Sequence, residues 1–203
     1  MFRTLTPAVQ ALLLANVIVY LLQSLTGYGE QLVWNFALWP LGAQDAGGAP
    51  FEPWQLLTYA FLHEGWLHIG SNMLALFMFG PDGERVLGTR RFTVYYFVCV
   101  LGAALAQLAV TYYSRQPSGP TVGASGGIFG VLLLYGMAFP HRRVLLIFPP
   151  IPMPAWLFVT LYGLWELYMG ATGNAAGVAH FAHLGGMVTG FAMIQFWRNR
   201  IRA

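Results

Sequence analysis

Ser125 sits in the run Gly123-Ala124-Ser125-Gly126-Gly127, where a polar, proline-bearing loop at residues 114–120 gives way to the apolar run 128–139. If that run is a helix, Ser125 lies at its N-terminus. There the first-turn N–H groups have no internal acceptors and can stabilise negative charge developing on a substrate oxygen. The position suits a serine nucleophile, and the glycines let another backbone come close. The same letters satisfy G-x-S-x-G, the nucleophile elbow of soluble α/β-hydrolases. That elbow needs a preceding strand within an alternating α/β chain, and the sequence supplies none. A Gly/Ser-rich helix start also serves plain close packing, so the serine needs partners before chemistry follows.

The partners come from two other apolar runs. His68 and Asn72 are four residues apart and share a helix face in the run 66–79. His183 lies about five residues, or roughly 8 Å, below the nearer end of the run 178–197. Polar groups inside apolar spans are costly and face the bundle interior or a wet cavity. Three spans thus bring polar groups to the depth of Ser125. Gly186 and Gly190, at offsets of three and seven from His183, make a small-residue face that admits a close helix. If that helix is the one Ser125 begins, His183 meets the hydroxyl and supplies a general base. The alternative for each lone histidine is a satisfied packing residue; matched depth beside a serine is what sets these apart.

The elements that must position these groups are membrane helices. The chain has 203 residues, 57% of them hydrophobic and 8% charged, with a mean hydropathy of +0.59, whereas soluble domains carry about 25% charged residues. The composition predicts an all-α, polytopic integral membrane protein: one membrane-embedded domain over residues 1–203, with six spans near 7–25, 66–79, 92–113, 126–139, 154–169 and 178–197. The fourth is only about 21 Å long by helical rise, against about 30 Å of hydrocarbon. Ser125 should therefore lie below the near surface by something like 10 Å, in a cavity open to water. All ten basic residues are arginine. With six crossings, nine fall on one side and only Arg115 on the other, so the positive-inside rule predicts cytoplasmic termini and an extracytoplasmic Ser125.

The +3 net charge thus reports orientation rather than nucleic-acid binding. The first run is about 19 residues long without an A-x-A-like cleavage site, which reads as an uncleaved span rather than a signal peptide. Cys99, the single cysteine, lies inside an apolar run and allows no disulfide framework. The first external loop, 26–65, is dense in aromatics (Trp34, Phe36, Trp39, Phe51, Trp54), which suits either the outer leaflet or an ordinary aromatic belt. The glycine-rich stretch 170–177 reads as a lid or a plain turn.

Taken in order on three spans, His68-x-x-x-Asn72, Gly123-Ala124-Ser125-Gly126 and Ala182-His183-x-x-Gly186-x-x-x-Gly190 resemble the rhomboid family of intramembrane serine proteases, in its bacterial six-span form. The resemblance covers roughly residues 50–195. It implies a Ser-His dyad with Ser125 as nucleophile and His183 as base, and an oxyanion hole of His68, Asn72 and the Ser125 N–H. Gly123, Ala124, Gly126, Gly186 and Gly190 support the site. Phe129 matches the aromatic, often Tyr, on which the family's histidine packs. Trp54-Gln55 stands where the family frequently has Trp-Arg, a departure that bears on loop anchoring. Glu84 and Gly88 resemble the family's cytoplasmic structural turn.

The implied partners are transmembrane segments of substrate proteins, within membrane lipid; no cofactor and no metal are implied. A shielded helical peptide bond is cleavable where the segment unwinds easily, near Gly, Pro or small polar residues. The localisation implied is a bacterial inner membrane.

Three alternatives keep some of these observations. A catalytically inactive rhomboid-like protein would bind membrane clients without cleaving them. A zinc site could draw on His63, His68, His180 and His183, although no H-E-x-x-H appears. A transporter would use Glu166, the one convincing intramembrane charge. Glu166 lies about 6 Å inside the end of the fifth span; it could orient His183 or shape the cavity, but pairing or snorkelling near the interface is the expected outcome.

Overall fold

An apolar chain in hydrocarbon has no water to satisfy its backbone and must close its hydrogen bonds within helices. The computed structural model, which describes residues 5–114, 119–145, 150–173 and 179–202, is mostly helical. Eight α-helices are described: α1 (Pro7–Leu25), α2 (Gly29–Phe36), α3 (Gln55–Thr58), α4 (Trp66–Leu87), α5 (Thr89–Ser114), α6 (Ser125–Ala138), α7 (Ala155–Thr172) and α8 (His180–Arg202). Helices α1 and α5 are long and apolar enough to cross a membrane, while α6 has only 14 residues. One feature departs from the all-α expectation. Strands β1 (Arg143–Leu145) and β2 (Pro152–Pro154) form a small antiparallel pair between α6 and α7.

Helix α6 is the innermost element. Its apolar residues do not form a stripe: Gly126 to Leu132, then Leu134, Tyr135 and Gly136, are buried all round, as befits a helix with neighbours on every side. Those neighbours are α4, α5, α7 and α8. Small residues set the distances. A Cβ on Gly186 of α8 would collide with the carbonyl oxygen of Gly126, so the two helices touch backbone to backbone. The outer surfaces of the bundle are apolar instead. On α7, Leu161, Leu164, Trp165, Leu167 and Tyr168 are exposed, and on α1 so are Leu14, Ile18, Leu22 and Leu25. Belts of this extent are not left to water; they belong against lipid in an integral membrane protein.

Two ties fix the ends of the bundle. At one end α4 runs through Pro81 to Leu87, eight residues past the expected limit at 79, with Gly80 to Glu84 buried. The Glu84 carboxylate explains the continuation. Its two oxygens each accept a backbone N–H from the first turn of α1, from Ala8 and Val9 at 3.0 Å, and Thr89 Oγ1 donates to it at 2.7 Å. A buried anion thus holds the start of α1 and the entry to α5. Gly88, at φ +77°, makes the turn.

At the other end, the long first connection is folded rather than loose. Leu38 and Thr121 exchange backbone hydrogen bonds at 3.0 and 2.9 Å, and Gly123 N donates to Tyr59 O at 2.9 Å. Gln55 is buried and bridges the loop, accepting from Trp39 N at 3.2 Å and donating to Pro50 O at 3.2 Å. The departure from Trp-Arg therefore leaves the loop anchored. Within it Trp34, Phe36 and Trp54 are exposed, and Phe51 is half-buried against the core.

Candidate active site

The loop ties deliver Gly123, Ala124 and Ser125 to the top of α6. Gly123 has φ +125°, and a Cβ there would lie 2.7 Å from His68 Nε2 and 3.7 Å from Ser125 Oγ. Glycine is required on both counts: the backbone is left-handed, and His68 already fills the space over it. Ser125 is half-buried and is the first residue of α6, with buried Ala124 as its cap. Its Oγ lies 2.8 Å from His183 Nε2.

The imidazole of His183 is held on three sides. The Phe129 ring stacks on it at 4.3 Å with an interplanar angle of 8°, and Tyr162 of α7 backs Phe129 at 4.8 Å. The Glu166 carboxylate meets its other nitrogen: His183 Nδ1 to Glu166 Oε2 is 2.8 Å, and the same oxygen takes His180 Nδ1 at 2.6 Å. Glu166 is only 4% exposed. The expectation that it snorkels or pairs at the interface is thus corrected: α7 packs on α8 with Glu166 facing inward, where two imidazoles compensate a buried charge that could not otherwise remain. His180 enters the sequence reading only as a zinc candidate, yet its spacing of three from His183 already turns both rings toward one partner.

A cavity of 740 Å³ opens in front of Ser125, reaching from His68, Ser71 and Asn72 on α4 to the loop at Gly119 to Thr121. Asn72 is buried, and its Nδ2 finds no hydrogen-bond partner among the described residues. A buried, unsatisfied donor is costly, so an N–H group lining a cavity is poised for an incoming acceptor. The Glu64 N–H points at His68 Nδ1 over a long 3.5 Å, which puts the His68 proton on Nε2, the nitrogen that overlies Gly123. Ser125, His68 and Asn72 therefore present one hydroxyl and two N–H donors to one volume.

One expectation about packing needs revision. Gly186 meets α6 at Gly126, but Gly190 does not: a Cβ there would collide with Tyr95 Oη and approach Cys99 Sγ at 3.1 Å, both on α5. The face that carries His183 lies in the groove between two helices, so its small residues divide between them. The stretch 170–177 lies partly outside the described residues, which leave out 174–178.

The zinc alternative also changes shape. His63 and His68 do not join the cluster; Glu166, His180 and His183 do, with one ligand atom from each within 4.8 Å of the others. The carboxylate oxygen stands 2.6 and 2.8 Å from the two nitrogens, whereas tetrahedral ligands at about 2.0–2.1 Å from zinc lie about 3.3 Å apart. These are hydrogen-bond separations. His63, in the connection before α4, is fully buried, and burial pushes its imidazole down to about 4, with the nearby His68 ring acting in the same direction.

Comparison with known proteins gives the family. The rhomboid domain family model matches residues 50–200. The chain is 36% identical over 143 residues to Rhomboid protein 1, mitochondrial, of Saccharomyces cerevisiae, covering 66% of this chain and 39% of that protein. It is 29% identical over 197 residues to the putative rhomboid protease YdcA of Bacillus subtilis, covering 96% and 92%. It is 27% identical over 198 residues to the rhomboid protease GlpG of Photorhabdus laumondii, covering 98% of this chain and 64% of that protein. The chain therefore spans less than two thirds of the yeast and Photorhabdus proteins.

Proposed function

We propose that this chain, which belongs to the rhomboid family, is an intramembrane serine endopeptidase that cleaves transmembrane segments of membrane proteins through a dyad of Ser125 and His183. The observation that carries the proposal is the 2.8 Å contact between Ser125 Oγ and His183 Nε2 at the edge of a polar cavity. Around it six helices, α1 and α4 to α8, serve as spans. The nine-to-one arginine split supports cytoplasmic termini and a site open to the extracytoplasmic side; the membrane proposed is a bacterial inner membrane.

The chemistry follows from the atoms. Neutral His183 takes the hydroxyl proton on Nε2 as Ser125 Oγ bonds to the scissile carbonyl carbon. The carbonyl oxygen, now an anion, is held by Asn72 Nδ2–H, His68 Nε2–H and the Ser125 N–H at the start of α6. His183 then gives its proton to the leaving nitrogen as the C–N bond breaks, leaving an ester on Ser125. Water from the cavity attacks that ester, His183 takes the water's proton, and Ser125 departs with it. A substrate helix must unwind to reach the hydroxyl, so segments with Gly, Pro or small polar residues near their outer end are favoured.

The test is reconstitution with a single-span substrate, alongside a fluorophosphonate probe. Wild type should be labelled and should cleave; Ser125→Ala and His183→Ala should do neither. Cleavage that survives both substitutions would remove the assignment. Folded wild type that neither cleaves nor takes the probe would favour an inactive client-binding protein instead.

A further inference from the structure

We propose that Glu166 is a positioning residue for the general base, making the dyad a Ser125–His183–Glu166 relay whose carboxylate is itself held in place by His180. The inference rests on the protease reading above and goes beyond it, since a dyad asks nothing of a carboxylate.

The geometry gives each group one task. A carboxylate oxygen only accepts, so the 2.8 Å contact with Glu166 Oε2 requires His183 Nδ1 to carry the ring proton. Nε2 is then the bare nitrogen, the state in which it can take a proton from Ser125 Oγ at 2.8 Å. Phe129 cannot do this. A ring stacked at 4.3 Å fixes the plane of the imidazole and leaves the proton free to reside on either nitrogen. When His183 gains the Ser125 proton it becomes a cation in a buried, weakly screened setting, where an adjacent anion is worth more than in water.

His180 explains why the anion stays put. Its Nδ1–H reaches the same oxygen at 2.6 Å from one turn earlier on α8, so Oε2 is pinned between two donors and the carboxylate cannot rotate away. The arrangement is crossed between helices, with α7 supplying the acceptor and α8 both donors. His180 Nε2 is buried and has no partner among the described residues, which fits a neutral ring whose one proton is already given to Glu166. The polar groups around His183 are thus Ser125 on α6, Glu166 and Tyr162 on α7, His180 on α8, and His68 across the cavity on α4.

The experiment compares wild type, Glu166→Gln, Glu166→Ala and Ser125→Ala in liposomes with a single-span substrate, measuring kcat and KM and the rate of fluorophosphonate labelling. Glutamine keeps the shape but offers an amide donor that stabilises the wrong tautomer, whereas alanine leaves room for water to accept from Nδ1. We expect kcat to fall about 10²-fold in Glu166→Gln, on the scale of one acid–base contribution, with KM within about threefold. We also expect Glu166→Ala to be no worse than Glu166→Gln.

A packing role predicts the reverse order, glutamine near wild type and alanine worst, and that result overturns the proposal. If the Glu166 variants fold poorly, His180→Gln reads the same relay through a residue outside the dyad. There kcat should fall about tenfold at constant KM, and an unchanged kcat overturns it. An active wild type, a dead Ser125→Ala and a fully active Glu166→Gln would sink this inference alone; a wild type without activity or labelling removes the protease reading with it.

Discussion

Glu84 and Glu166 are both buried carboxylates in the same bundle, 2% and 4% exposed, yet they are compensated in opposite ways. Glu84 receives fixed backbone donors, Ala8 N and Val9 N, with Thr89 Oγ1 beside them. None of these changes protonation state, so the anion is a permanent fastener between helix ends. Glu166 receives two imidazoles, side chains whose ring nitrogens can either donate or accept. A buried charge met by backbone makes structure; the same charge met by two imidazoles is what the proposed site is built on. The Ser125 end of the bundle accordingly carries a 740 Å³ cavity and an Asn72 donor without a partner among the described residues, and the Glu84 end is tied by Glu84 and by Arg142 on Asp82 at 2.8 Å.

The sharpest way to break this contrast is to damage each end and ask which property falls. Ser125→Ala should reduce cleavage by at least about 10³-fold, the scale on which a serine nucleophile is missed, and leave the melting temperature unchanged. A parallel drop in melting temperature would mean that the hydroxyl is a packing group. Next in size, Asn72→Ala removes a proposed oxyanion donor and should lower kcat by about 10²–10³-fold. Because Asn72 Nδ2 gives up no hydrogen bond within the described residues, its loss should cost little stability.

Glu84→Ala tests the other end. It strips charge-assisted acceptors from two buried N–H groups and a hydroxyl, and should destabilise the protein by about 3 kcal/mol. The fraction still folded should turn over at the wild-type rate. If Glu84→Ala instead slows catalysis without changing the melting curve, the division of labour between the two carboxylates fails.

How much of this was legible beforehand depends on how local the signal was. Serine at a helix start, two polar residues four apart on α4, and a histidine followed by small residues on α8 are read from one helix at a time, because periodicity fixes a face. Helix ends were less readable. The apolar run reads to 79, but the acceptor that keeps α4 going through Pro81, Glu84, works through α1, about 75 residues away in sequence. Gly190 faces α5 rather than α6, and a face lodged between two helices gives no hint in the sequence of how its residues divide. Glu166 is legible as an intramembrane charge that either orients His183 or turns to the interface, and the choice between the two lies with the helix it packs on. The spacing of His180 from His183 points to a shared partner without naming it, and the partners of Gln55 are fixed by tertiary contact alone.

His63 gives the smallest test, and it probes the Ser125 end through stability rather than rate. It sits just before α4, with its backbone gripped by Gln23, which donates to His63 O at 2.8 Å and accepts from His63 N at 3.1 Å. Its ring faces Tyr20 at 6.4 Å and His68 at 5.0 Å, with Glu64 next in sequence. Burial pushes the folded imidazole down to about 4 from an ordinary 6.5, so between those values the unfolded chain binds the extra proton. Stability then rises with pH across that window: it is intact above about 6.5, declines as pH falls, and stops changing below about 4. From pH 7 to pH 5 the loss should be about 2 kcal/mol, read as a lower melting temperature of the detergent-solubilised protein. His63→Phe should flatten that slope while leaving the Glu84→Ala penalty in place. Equal slopes in wild type and His63→Phe would assign the acid sensitivity to another group and leave the Ser125 end without a pH-dependent fastener of its own.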